Sequence, residues 1–126
     1  MTAALLGSTD LVELTAALVA VPSVSGAEAA LAGLVEARLR ARAPGLAMYR
    51  AGNTVVARTE RGGEPRIAFA GHLDTVPPSG QPDPPSGPDT VAGRGAVDMK
   101  GGLAVMLLLA EQASAGGCEA SFIFYD

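Results

Sequence analysis

Apolar positions along the chain recur with two different periods. Leu11, Leu14, Leu18 and Val19 fall at helical spacing behind Asp10 and Glu13, a capping-box pair, and Pro22 ends the run. Ser25 and Glu28 repeat the capping pattern ahead of a second stripe, Leu31, Leu34, Val35 and Leu39. Arg38, Arg40 and Arg42 are expected to stay solvated along the edges of that stripe. The helix is predicted to run to about Ala43, because Pro44 disfavours helical backbone before it.

From Leu46 the pattern changes to that of strands. Leu46 to Arg50, a Gly52-Asn53 turn and the β-branched stretch Thr54 to Thr59 predict a hairpin. After a turn at Arg61-Gly62-Gly63, the continuous apolar run Ile67 to Ala70 predicts a strand covered on both faces, which delivers Gly71 and His72 to its end. Val76 to Pro88 holds six prolines and two glycines, so it is expected to be a surface loop without ladder hydrogen bonds. A third helix is predicted from Gly101-Gly102 through Gln112, stopped by Gly116-Gly117, and Ala120 to Tyr125 predicts one more buried strand. Together these elements predict a layered α/β fold, a mixed sheet with helices on both faces. Because the last strand runs to Asp126 without a turn or polar tail, the chain is expected to be part of a longer protein. Phe122 to Tyr125 is then expected to form an unpaired apolar edge prone to self-association.

Composition narrows this picture little. With 126 residues and 48% hydrophobic content, one domain with a real core is expected. The net charge of −4 and nine scattered basic residues argue against a nucleic-acid partner. Cys118 is the only cysteine, and a buried free thiol suits a reducing compartment, so a cytoplasmic location is expected. The longest apolar run, Leu103 to Ala110, is far shorter than the ~20 residues of a membrane span, and no export signal or membrane anchor is expected.

Two clusters carry candidate chemistry. His72 and Asp74 stand two apart in extended chain, so their side chains project to one side. A neutral imidazole is a good metal ligand, and a carboxylate on its other nitrogen fixes the tautomer. A histidine on the surface, or one satisfied in the core, fits the same dipeptide. The second cluster is Gly93-Arg94-Gly95-Ala96-Val97-Asp98-Met99-Lys100-Gly101-Gly102, where glycines bracket Asp98 just before the third helix. Its carboxylate is placed to bridge two metal ions near helix-terminal N–H groups, or to serve as an ordinary N-cap. Phosphate binding is excluded by the missing Gly-Lys-Ser/Thr ending and third glycine.

Taken together, Gly71-His72-Leu73-Asp74-Thr75-Val76-Pro77 and the Gly93 to Gly102 segment resemble the paired signatures of the two-zinc aminoacylase, carboxypeptidase and desuccinylase superfamily. Pro22-Ser23-Val24-Ser25-Gly26 and the Gly52-Asn53 turn extend the resemblance over nearly the whole chain, as the N-terminal part of a zinc-peptidase-like catalytic domain. The resemblance implies that His72 ligates one zinc, that Asp74 supports His72 in catalysis, and that Asp98 bridges both zincs. It also implies a non-proline cis peptide after Asp98. The Ala-Val-Asp-Met-Lys-Gly-Gly wording is most similar to succinyl-diaminopimelate desuccinylases, with acetylornithine deacetylases as the close rival and a non-catalytic remnant as the alternative of another class. Implied for the full-length protein are two Zn2+ ions per subunit, with Co2+ as a possible substitute, a small acyl-amino-acid substrate and a homodimer. The adjacent glutamates, acidic ligand, distal histidine and lid domain of the superfamily do not occur in these residues.

Overall fold

The computed structural model describes residues 7–126. Helix α1 spans Leu11–Val19, and the Asp10 carboxylate accepts from the Glu13 N–H at 2.9 Å, one half of the expected capping box. The other half is absent, because the Glu13 carboxylate accepts from the Ser8 hydroxyl instead. Helix α2 spans Ala29–Arg42. Its expected Ser25–Glu28 capping box does not form: Glu28 turns back to the Gly26 N–H, and Ser25 is engaged elsewhere.

Arg38 overturns another expectation, since it lies fully buried rather than solvated. The helical period accounts for this, as Arg38 follows Leu31 by seven residues and Val35 by three, on the face that meets the core. Its guanidinium reaches Glu111 at 2.7 Å, which offsets the cost of burying the charge.

Strands β1 (Ala47–Ala51) and β2 (Thr54–Arg58) form the predicted hairpin around Gly52, whose φ of +59° suits the left-handed turn. Strands β3 (Arg66–His72) and β4 (Glu119–Tyr125) complete a four-stranded sheet in the order β1-β2-β4-β3. Only the β3–β4 pair is parallel, with α3 (Gly101–Ala115) inside the crossover. The fold is the expected layered α/β architecture with a mixed sheet, but among the described residues the helices lie over one face of it rather than the expected two, because their apolar stripes all close on the same alternating strand residues.

Two details of the sheet differ from expectation. Strand β4 is not an apolar edge, for β2 and β3 flank it on both sides. Strand β3 stands at the edge of the described sheet, and its residues Arg66 to Ala68 and Ala70 are exposed rather than covered on both faces. Helices α1, α2 and α3 gather over the face that carries Val55, Ala57, Phe122 and Phe124, and their Leu14, Leu18, Leu31, Val35, Leu39, Leu103 and Leu107 close one core with it. On the opposite face Val56 and Ile123 are only partly covered. Phe69 stacks on Phe122 with ring centroids 5.3 Å apart and ties the edge strand to that core. Cys118, expected to be buried, is exposed in the turn before β4. Among the described residues no helix is long and apolar enough to cross a membrane.

Candidate metal centre

His72 is the last residue of β3, and the chain leaves the sheet through buried Leu73 and Thr75 on either side of Asp74. The Leu73 N–H donates to the Tyr125 carbonyl and so extends the parallel pairing by one bond beyond the strand. Small size at Gly71 is required here: a Cβ would lie within 2.9 Å of the Leu103 and Met106 side chains, so glycine lets α3 pack closely against the strand end. The site is thus held against the first turns of α3.

Asp98 arrives from the other side of the Pro-rich loop, in a wide helical turn at Ala96–Lys100. The turn is entered through Gly95 at φ +81°, where a Cβ would stand 2.6 Å from the Thr75 methyl. Backbone at Asp98 and Met99 leaves helical geometry, and the peptide between them is cis. Asp98 is not the N-cap of α3; Lys100 occupies that position, and no side chain caps it. The Lys100 side chain is buried and its Nζ donates to the Val21 carbonyl at 2.7 Å, which anchors the turn to the end of α1. Burial pushes the Lys100 pKa down to about 8.

The geometry brings the three sequence-predicted residues together. His72 Nε2 lies 2.9 Å from Asp98 Oδ1, and His72 Nδ1 lies 2.9 Å from the Asp74 carbonyl oxygen and 3.2 Å from its carboxylate Oδ1. Both neighbours of Nδ1 are acceptors, and so is Asp98 Oδ1 beside Nε2, so in the metal-free protein the surroundings favour a proton on each ring nitrogen. Burial opposes a charged His72, but hydrogen bonds to Asp98 and to the Asp74 backbone, with the charges of both aspartates, outweigh it and raise the pKa. The Asp74 pKa is held low, first by the Ser25 hydroxyl and then, against the opposing effect of burial, by the His72 charge.

These groups line an open cavity of about 550 Å³. Asp83 from the Pro-rich loop and Arg94 from the glycine cluster also face it. Neither stood out in the sequence, since a lone acid among prolines and an arginine between glycines carry no spacing signal. Ser25 was legible as a helix cap and as part of the Pro22 to Gly26 loop, but not as a partner of Asp74.

A metal ion fits this donor set in part. Imidazole nitrogen and carboxylate oxygen are the ligand types zinc takes, the two atoms lie 2.9 Å apart, and the Asp98 side chain is 82% exposed. Among the described residues no group of three or more His, Cys, Asp or Glu side chains is gathered tightly enough to hold an ion. His72 and Asp98 thus suit part of a centre.

The sequence pattern of peptidase family M20/M25/M40 matches residues 68–124, which include both clusters. A Mycobacterium tuberculosis protein, provisionally named a succinyl-diaminopimelate desuccinylase, is 46% identical over 117 residues, covering 93% of this chain and 33% of its own. The chain belongs to this peptidase family. The succinyl-diaminopimelate desuccinylase of Corynebacterium glutamicum is 44% identical over 99 residues, covering 78% of this chain and 27% of its own. That of Xanthomonas euvesicatoria is 36% identical over 111 residues, covering 82% and 30%. Human carnosine dipeptidase 1 has the same fold over 91% of this chain and 31% of its own, with a TM-score of 0.57 at 19% identity. The chain spans about a third of the length of the curated relatives it matches.

Proposed function

We propose that these 126 residues are the N-terminal part of the catalytic domain of a zinc-dependent amidohydrolase, in which His72 ligates one zinc, Asp98 bridges two, and Asp74 orients His72. The observation that supports this most is the 2.9 Å approach of His72 Nε2 to Asp98 Oδ1 across 26 residues, at the floor of an open cavity. When bound, zinc supplies Lewis acidity that draws charge from an acyl carbonyl and acidifies a water. The protein's own share is orientation and charge: Asp74 holds the His72 tautomer, and the glycine-entered turn presents Asp98 to the cavity.

The favoured substrate is N-succinyl-LL-2,6-diaminopimelate, cleaved to succinate and diaminopimelate in lysine biosynthesis. This rests on the desuccinylase names of relatives at 36–46% identity. By the same reading the full-length protein is a cytoplasmic homodimer, and the free Cys118 thiol suits a reducing compartment. Catalytic zinc sites take about three protein ligands per metal, so the remaining ligands and the general base come from the rest of the full-length protein.

The test is an assay of the full-length protein, zinc-loaded and zinc-stripped, on N-succinyl-diaminopimelate and N-acetylornithine. Succinate release that vanishes on stripping and returns with zinc is expected. Preference for N-acetylornithine would reassign the substrate, and full turnover after stripping would end the metal reading.

A further inference from the structure

Ser25 lies in the loop between α1 and α2, 49 residues from Asp74 in sequence, yet its hydroxyl donates to Asp74 Oδ2 at 2.5 Å. The other carboxylate oxygen, Oδ1, faces His72 Nδ1 at 3.2 Å. One carboxylate is therefore gripped from both sides, and its rotation about the Cβ–Cγ bond is fixed by the pair of contacts.

The loop that carries Ser25 is itself laced to the segment after β3. A parallel bridge pairs Val24 with Thr75: the Thr75 N–H donates to the Ser23 carbonyl at 2.9 Å, and the Ser25 N–H donates to the Thr75 carbonyl at 3.1 Å. The buried Ser23 hydroxyl adds a bond to the Leu73 carbonyl at 2.7 Å. Each bond holds the backbone on one side of Asp74, so Ser25 approaches the carboxylate from a set direction. Helix capping does not account for the hydroxyl, because α2 has no side-chain cap.

We propose that Ser25 is a positioning residue of the metal centre: it locks the Asp74 carboxylate so that His72 keeps Nδ1 turned to Asp74 and Nε2 turned to Asp98. The inference rests on the metal-dependent reading above. Ser25 acts through Asp74 and touches neither His72 nor Asp98.

The experiment uses the full-length protein and measures zinc affinity by competition calorimetry for the parent, S25A, S25T, D74N and the S25A/D74N double variant. Cobalt absorption spectra and metal-free melting curves accompany each. Loss of an outer hydrogen-bond partner of a metal ligand typically weakens binding by about 10–100-fold. S25A is expected to weaken zinc within that range with its cobalt spectrum altered. S25T keeps the hydroxyl at an exposed position and is expected to recover most of the affinity. Because Ser25 works through Asp74, adding S25A to D74N should cost less than about twofold more, the non-additivity of coupled residues. Parental affinity in S25A, no recovery in S25T, losses that multiply in the double variant, or losses that only follow a lowered melting temperature would each overturn the inference. A parent that binds no zinc would sink the metal-dependent reading together with it, whereas a zinc-binding parent with an indifferent S25A sinks the Ser25 role alone.

Discussion

At the scale of single residues, the proposed metal role makes His72 the point at which proton and metal would compete. Its raised pKa comes from two carboxylates around one imidazole, which favour the charged form despite burial. In the metal-free protein this charged arrangement contributes stability that is fully present below the unfolded-state value and is lost as pH rises through the raised one. Zinc requires Nε2 without a proton, so zinc affinity of the full-length protein should fall as pH drops through that raised value, at a higher pH than an ordinary imidazole would show. Calorimetric titrations over a pH series check the sign; affinity independent of pH down to the ordinary histidine range would contradict it. His72→Ala should lose one zinc and most activity. Asp74→Asn should retain zinc more weakly and slow turnover by about 10–100-fold, as removal of an orienting partner does. Metal content and kcat measured under limiting zinc separate the two, and equal near-parental rates would remove both assignments.

At the scale of elements, two buried cations hold the helices in place by different means. Arg38 on α2 meets Glu111 on α3 with the arginine fully buried, so Glu111→Ala leaves its charge without that carboxylate. Breaking such a pair typically costs about 3–5 kcal/mol, which urea denaturation of the full-length protein would register. Lys100 leads into α3 and donates to the end of α1, and its pKa is lowered to about 8 by burial. Between that value and the ordinary lysine range the unfolded chain binds the proton more tightly than the folded one. The Lys100 contribution to stability therefore rises with pH across that window. Lys100→Met should flatten this part of the stability profile, and an unchanged slope would refute the assignment.

At the scale of the whole molecule, His72 and Asp98 supply two donor side chains, and the sequence contains no further histidine. With about three protein ligands needed per catalytic zinc, the isolated 126-residue chain should bind zinc weakly and show no desuccinylase turnover above a metal-only blank. Tight binding of two zincs with turnover by this chain would show the ligand inventory to be wrong. Self-association of the isolated chain is now expected through β3, the more apolar of the two edge strands of the described sheet, rather than through β4, which is paired on both sides. A charged substitution at Ile67, 48% exposed on that strand, should reduce association measured by sedimentation.

The sequence by itself determined the elements, their order and the residues His72, Asp74 and Asp98 that meet in the candidate site. Periodicity and turn residues act over a few positions, and glycines bracketing Asp98 or a histidine two residues before Asp74 are likewise local signals. The burial of Arg38 was also written there, in its place on the apolar face. Tertiary structure alone decided which strand became the edge, because sheet order follows from how separated segments pair. It alone carried Ser25 across 49 residues to Asp74, since a hydroxyl that suits a helix cap locally gives no sign of a distant carboxylate competing for the same hydrogen bond.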